Sequence, residues 1–221
     1  VRSEYGVSGF KDLRNTKDEV KKIEKTLVDN GFSVKAYLGS KGNAESFVAL
    51  DGKSPSIVHI ATHGFYYTPD EAKDKDFLRG YTDAMSLSGL VFAGGNAAWL
   101  GKKNVDGVLG GVLTAKDIAN LDFKGTDLLV LSACKTGQGK VTAEGVFGLQ
   151  RAFKKAGVGT IIMSLWNVDD KVTSEFMVAF YEQLTDKANN WNKRKAFEQT
   201  KEIIRKEHPD PYYWAAFVML D

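Results

Sequence analysis

The stretch Leu128-Leu129-Val130-Leu131-Ser132-Ala133-Cys134-Lys135-Thr136-Gly137 constrains the fold more than any other part of the chain. Four consecutive aliphatic residues leave no wet face. Such a run, bounded by small and polar residues, reads as a strand covered on both sides, as in the parallel sheets of α/β proteins. Open α/β sheets bind ligands just beyond the carboxyl ends of their strands. Cys134 falls at that place, and Gly137 and Gly139 let the following loop pass close to a ligand.

A second stretch matches the first. Ser56-Ile57-Val58-His59-Ile60-Ala61-Thr62-His63-Gly64 reads as another apolar strand that ends on a histidine and a glycine. Two parallel strands, one ending on Cys134 and the other on His63, bring a thiol and an imidazole to one rim of the sheet. That pairing is a nucleophile with its general base. Taken alone, a single cysteine is most often a small buried hydrophobe. The strand end, the glycine-containing loop and the matching histidine favour chemistry instead.

The bulk numbers exclude several classes. A chain of 221 residues with net charge +2 has room for one large core and no electrostatic reason to bind nucleic acid or an anionic membrane. No apolar run approaches the roughly 20 residues of a membrane span. The start, Val1-Arg2-Ser3-Glu4-Tyr5, has no apolar leader core. The single cysteine rules out an internal disulfide and suits a reducing, cytoplasmic setting.

Taken in order, Thr16-Lys17-Asp18-Glu19 reads as a capping box. It opens a helix through Val20, Ile23 and Leu27 that stops at Asn30-Gly31. Phe32 to Leu38 alternates with period two and reads as a strand, and Asn43 caps a short helix through Leu50. From about 65 to 113 the pattern fails. Within that span Ser88 to Gly95 reads as an edge strand in a long insertion, either a regulatory loop open to self-cleavage or a plain surface excursion. Thr114 to Asp117 opens another short helix, and Thr142 to Ala156 reads as an amphipathic one. A strand Thr160 to Trp166, helices starting at Asp169 or Asp170 and at Trp191, and a terminal strand Tyr213 to Leu220 complete the chain. The alternation predicts a three-layer α/β/α sandwich with a mainly parallel sheet, as a single domain over 1–221.

The chemistry follows from residue types. A Cys134 thiolate would attack a carbonyl, and His63 would take the thiol proton and return it to the leaving group. The backbone amides of Gly64 and Cys134 are the candidate oxyanion hole. No third orienting carboxylate stands out, so the reading is a dyad. Asp169 and Asp170 follow the third strand at the same rim. They serve either as helix caps or as an acidic pocket for a basic substrate side chain, with Asp170 favoured. His59 and His63 lie about 13 Å apart on one extended strand, too far to share an ion. His59 is therefore expected to be a core histidine with a hydrogen-bond partner. No metal or cofactor is expected.

Six blocks, taken together, resemble the CHAT domain. They are His59-Ile60-Ala61-Thr62-His63-Gly64, Leu113 to Ile118, Leu131 to Gly137, Gly145 to Phe153, Leu165-Trp166-Asn167-Val168-Asp169-Asp170 and Pro211 to Phe217. CHAT domains are caspase- and separase-like cysteine peptidases, often joined to TPR repeats in bacteria. The resemblance implies a caspase-like fold, His63 and Cys134 as the dyad, and an oxyanion hole near Gly64. In separase-like relatives an Asp matching Asp170 lies in the pocket for the residue before the cut, usually Arg; other CHAT peptidases cut after apolar residues. Caspases proper carry Gln-Ala-Cys and cut after Asp, whereas this chain has Ser132-Ala133-Cys134. The family usually has one more strand before the first helix, which only Val1 to Phe10 could supply. The implied partner is a protein substrate, such as a gasdermin-like or other effector. A regulatory TPR region or sensor is expected outside this chain. The expected function is a cytoplasmic cysteine endopeptidase cutting after a basic residue. A catalytically silent interaction scaffold and a small-molecule thiol amidase or thioesterase stay open as alternatives.

Overall fold

The computed structural model describes residues 9–11, 13–73, 78, 80–100, 110–132 and 143–221, the side chains of 143–147 excepted. In chain order its elements are helix α1 (Thr16–Asp29), helix α2 (Ala44–Val48), strands β1 (Ile57–Ile60) and β2 (His63–Tyr66), and helix α3 (Pro69–Ala72). Strand β3 (Ser88–Val91), helix α4 (Gly95–Trp99), strand β4 (Val112–Thr114) and helix α5 (Ala115–Ile118) follow. Strand β5 (Leu128–Leu131), helix α6 (Ala143–Lys155), strand β6 (Thr160–Ser164) and helix α7 (Asp170–Thr185) come next. Helices α8 (Lys193–Glu207) and α9 (Pro211–Trp214) and strand β7 (Phe217–Leu220) end the chain.

The main sheet has the order β1-β5-β6-β7. β1, β5 and β6 are parallel, and β7 is antiparallel to β6. Alternate residues of its strands supply two separate cores. Val58, Ile60, Leu129, Leu131, Ile161 and Met163 pack against Phe47 of α2, Ile118 of α5 and Phe153 of α6. Leu128, Val130, Ile162 and Phe217 pack against Ile23 of α1, Phe176 and Phe180 of α7, and Phe197 of α8. A sheet with helices on both faces is the expected three-layer α/β/α sandwich, with a mainly parallel sheet. No described helix is long and apolar enough to cross a membrane.

Several local expectations change. The stretch from Ser56 to Gly64 is two strands. β1 ends at Ile60, and His63 opens β2, which belongs to a second sheet of order β2-β3-β4. Thr62 lies between them and donates its hydroxyl to the Val91 carbonyl, fixing the switch from one sheet to the other. The second sheet is antiparallel throughout. Its three strands fall at the start, within and at the end of the stretch that lacks a clear period in the sequence, and Ser88–Val91 is its centre strand, not an edge. Its core is Phe65, Tyr67, Leu78, Leu87, Val91 and Trp99. Gly89 has no room for a side chain: a Cβ there would lie 2.2 Å from the Leu113 carbonyl oxygen and 2.8 Å from the Phe65 ring.

The segment 32–38 is not a strand. It lines, together with β1, a groove of about 1350 Å3. Alternation favours an extended chain, but a strand also needs a ladder partner. The terminal strand is shorter than expected because Asp210 accepts from the Tyr212 N–H at 2.9 Å and Pro211 starts the helical turn α9. Only Phe217–Leu220 remains to pair with β6.

Candidate active site

The rim is built by the ends of β1 and β5. Ile60 pairs with Leu131, and the Ser132 N–H donates to the Ile60 carbonyl at 2.9 Å. His63 and Cys134 are each the third residue beyond that rung. Cys134 and its loop lie outside the described residues.

His63 is 8% exposed. Its Nε2 is 2.6 Å from the Lys11 carbonyl oxygen. A carbonyl only accepts, so Nε2 carries the proton, and in the neutral ring Nδ1 is the basic nitrogen. The Phe10 ring packs beside the imidazole at 5.0 Å and edge-on to Trp99 at 4.4 Å. Phe10 is held in turn by Asn96, whose Oδ1 accepts from the Phe10 N–H at 2.7 Å and whose Nδ2 donates to the Phe10 carbonyl at 2.9 Å. The imidazole is thus oriented by main chain where the residue pattern had suggested only a side-chain dyad. Nothing in a residue type announces a carbonyl in that role, so the sequence carried no signal for Lys11. Gly64 follows in β2, in register with Leu90.

Of the two aspartates, Asp169 takes the helix-cap role. Asp169 caps α7, its Oδ1 accepting from the N–H groups of Lys171 at 2.9 Å and Val172 at 3.3 Å. Asp170 is the half-buried first residue of α7. Its Oδ2 accepts from the Asn15 N–H at 3.2 Å and from the Asn15 side-chain amide at 2.8 Å. Phe10, Lys11 and Asn15 thus bond in turn to Asn96, His63 and Asp170.

His59 stands apart from this site. Its Nε2 is 2.8 Å from Glu19 Oε1, and its Nδ1 is 3.4 Å from the Tyr181 hydroxyl. Glu19 is thus not the return arm of a capping box. It is 1% exposed and serves as the partner of His59, while α1 begins after Asn15 without a side-chain cap. Burial wins because a charged group inside needs its partner more than an exposed helix end needs one more acceptor. A mixed cluster missed in the sequence joins Glu175, Glu207 and His208, whose ligand-type atoms lie within 4.8 Å of one another. His208 Nε2 is 2.9 Å from Glu175 Oε2, and Lys171 Nζ lies 3.6 Å from Glu175 Oε1. The nearby lysine offsets that charge, and the cluster reads as a surface ion-pair network.

The chain is similar to known proteins over part of its length. Human Tetratricopeptide repeat protein 28 is 32% identical over 111 residues, which is 49% of this chain and 4% of that protein. The mouse protein of the same name is 31% identical over 111 residues, with the same coverage. The chain thus aligns with only a small part of either relative. The model of the CHAT domain matches residues 5–221, and on that match the chain belongs to the CHAT domain family.

Proposed function

We propose that the chain is a cysteine endopeptidase of the caspase-like kind, with Cys134 as nucleophile and His63 as general base, cutting a protein substrate after a basic residue. The observation that carries this reading is the His63–Lys11 hydrogen bond at the rim where β1 and β5 end level. An imidazole whose Nε2–H is committed to a carbonyl turns a basic Nδ1 to its other side, as a general base requires.

The steps follow. His63 Nδ1 takes the Cys134 proton, and the thiolate attacks the scissile carbonyl carbon. A C–S bond forms as the carbonyl π pair moves onto oxygen. The N–H groups of Gly64 and Cys134 are the donors assigned to that oxyanion. As the tetrahedral adduct collapses, the C–N bond breaks and the imidazolium returns its proton to the leaving amine. Water, deprotonated by His63, then cleaves the thioester and restores the thiol. Asp170, half-buried at the start of α7, supplies the negative charge for a basic side chain before the cut. The tetratricopeptide repeats in the names of the two relatives favour a peptidase unit that works beside a protein-binding repeat region.

The test is a peptide-library cleavage profile, run beside labelling of Cys134 by a peptidyl acyloxymethyl ketone ending in Arg. Cleavage after Arg or Lys with labelling at Cys134 is the expected result. Turnover of short acyl esters without peptide cleavage would favour a small-molecule thiol hydrolase, and no turnover or labelling at all would leave a scaffold.

A further inference from the structure

Among the described residues, two buried hydroxyls at the rim have no hydrogen-bond partner: Ser132 Oγ and Ser164 Oγ. The residues are 3% and 2% exposed. Their positions are related. Leu128 pairs with Thr160 and Val130 with Ile162, so the same parallel register carries Ser132 beside Ser164, one step beyond β5 and at the last residue of β6. By the two-residue period of a strand, both side chains share the face of Val130 and Ile162. That face holds the core that also includes Val168 and Val172, which flank Asp170 at the start of α7.

An unpaired hydroxyl inside a protein has given up water and received nothing in return. One such group could be an accident of packing. Two on neighbouring strands, on one face and at the carboxyl end of a parallel sheet, form a set of acceptors without donors. We propose that Ser132 and Ser164 form the floor of the specificity pocket and accept hydrogen bonds from the guanidinium of an arginine before the cut. The assignment rests on the peptidase reading above and adds two specificity-determining residues to it.

The chemistry selects arginine over lysine. A guanidinium brings five N–H donors in a flat fork. A carboxylate takes two, and the remaining donors need acceptors deeper in the pocket. A lysine ammonium is a compact point charge that the carboxylate alone can satisfy. Both hydroxyls are closed off from water, so a substrate side chain reaches them only as the rim opens.

Ser132→Ala and Ser164→Ala test this, each compared with the unaltered chain on peptides differing only in Arg, Lys or Leu before the cut. Each variant is expected to lower the Arg-over-Lys ratio of kcat/KM by about tenfold, the worth of one hydrogen bond to a charged group. Cleavage after Leu should fall less than cleavage after Arg, since an apolar side chain brings no donors to the floor. The melting temperature should stay level or rise, because each variant removes an unpaired buried hydroxyl. A merely structural serine would show the reverse: a lower melting temperature with the ratio unchanged. An unchanged ratio in a chain that still cleaves peptides overturns the serine assignment and leaves the peptidase reading intact. If no peptide is cleaved, benzamidine, which carries a planar amidinium, serves as the probe. A rise in melting temperature with benzamidine that is lost in both variants supports the pocket without catalysis, and no rise in the unaltered chain overturns it.

Discussion

Asn15 donates both its backbone N–H and its side-chain amide to a single oxygen of Asp170, at 3.2 and 2.8 Å. The contact ties the start of α1 to the first turn of α7. Two N–H groups converging on that carboxylate are also what a guanidinium would bring, so under the peptidase reading Asn15 competes with the substrate for Asp170. Asn15→Ala should raise kcat/KM on Arg peptides several-fold while lowering stability by about 1 kcal/mol, the net worth of a partly exposed bond to a charged group. Denaturant unfolding and peptide kinetics on the same samples check both. A rate that falls along with stability would make the contact structural alone.

Asp170→Ala carries the complementary expectation. Preference for Arg or Lys should disappear, and Cys134 should still react with iodoacetamide, because the nucleophile and its base are untouched. A preference that persists would move the pocket to another part of the rim.

The His63 environment separates side-chain from main-chain roles. His63→Ala should lower kcat by about a thousandfold or more, as removal of a general base does. Lys11 takes part only through its carbonyl, so Lys11→Ala should stay within about twofold of the unaltered chain. Phe10→Ala removes the ring packed at 5.0 Å against the imidazole and at 4.4 Å against Trp99. It should cost about tenfold in kcat with KM little changed, since a misdirected base weakens the chemical step more than binding. Loss of rate in Lys11→Ala equal to that in Phe10→Ala would contradict the main-chain assignment.

The main sheet was readable because β5 and β6 are buried on both faces, and unbroken aliphatic runs have few other uses. The second sheet was not. Gly89 sits in its centre strand for want of space, and a glycine there looks like a turn when only the sequence is seen. Thr62 ends one sheet and starts the next through one hydroxyl hydrogen bond, which leaves no periodic trace. Glu19 showed the opposite failure. A capping-box spacing was present, but tertiary burial against His59 overrode the local use of the side chain. At the rim the candidates His63 and Asp170 could be named from their residue types and strand ends alone. The groups that position them, a carbonyl of Lys11 and an amide of Asn15, could not, because any residue has the first and most surface asparagines do nothing with the second.

Glu19 and His59 form a pair whose side chains are 1% and 11% exposed. Removing one partner strands the other inside, so Glu19→Ala should cost about 3 kcal/mol in urea unfolding, and Glu19→Gln about 1 kcal/mol because the amide can still bond the ring. The double variant Glu19→Ala with His59→Ala should lose less than the two single losses together. Peptide cleavage at a temperature well below unfolding should be unaffected, which keeps this cluster distinct from the His63 site. Full additivity of the two losses would show that the 2.8 Å contact contributes nothing.

Tyr181 sets an alkaline limit. Burial, reinforced by the Glu19 charge, pushes its phenol far above the ordinary value of 10.0. In the unfolded chain the same phenol loses its proton near pH 10. Above that point the unfolded state binds fewer protons than the folded one, so stability falls as pH rises, by roughly 1.4 kcal/mol for each pH unit and each such group. The contribution is fully present below pH 10 and drains away on the alkaline side. Tyr67, raised in the same direction by burial and then by Glu71, adds a second slope. Tyr181→Phe should therefore be about 1 kcal/mol less stable at neutral pH, having lost the hydroxyl contact to His59, yet show a shallower decline between about pH 10 and about pH 11. Guanidinium unfolding across that range reads both effects. An identical alkaline slope in the variant would mean that the phenol is reached by water in the folded chain, against its complete burial.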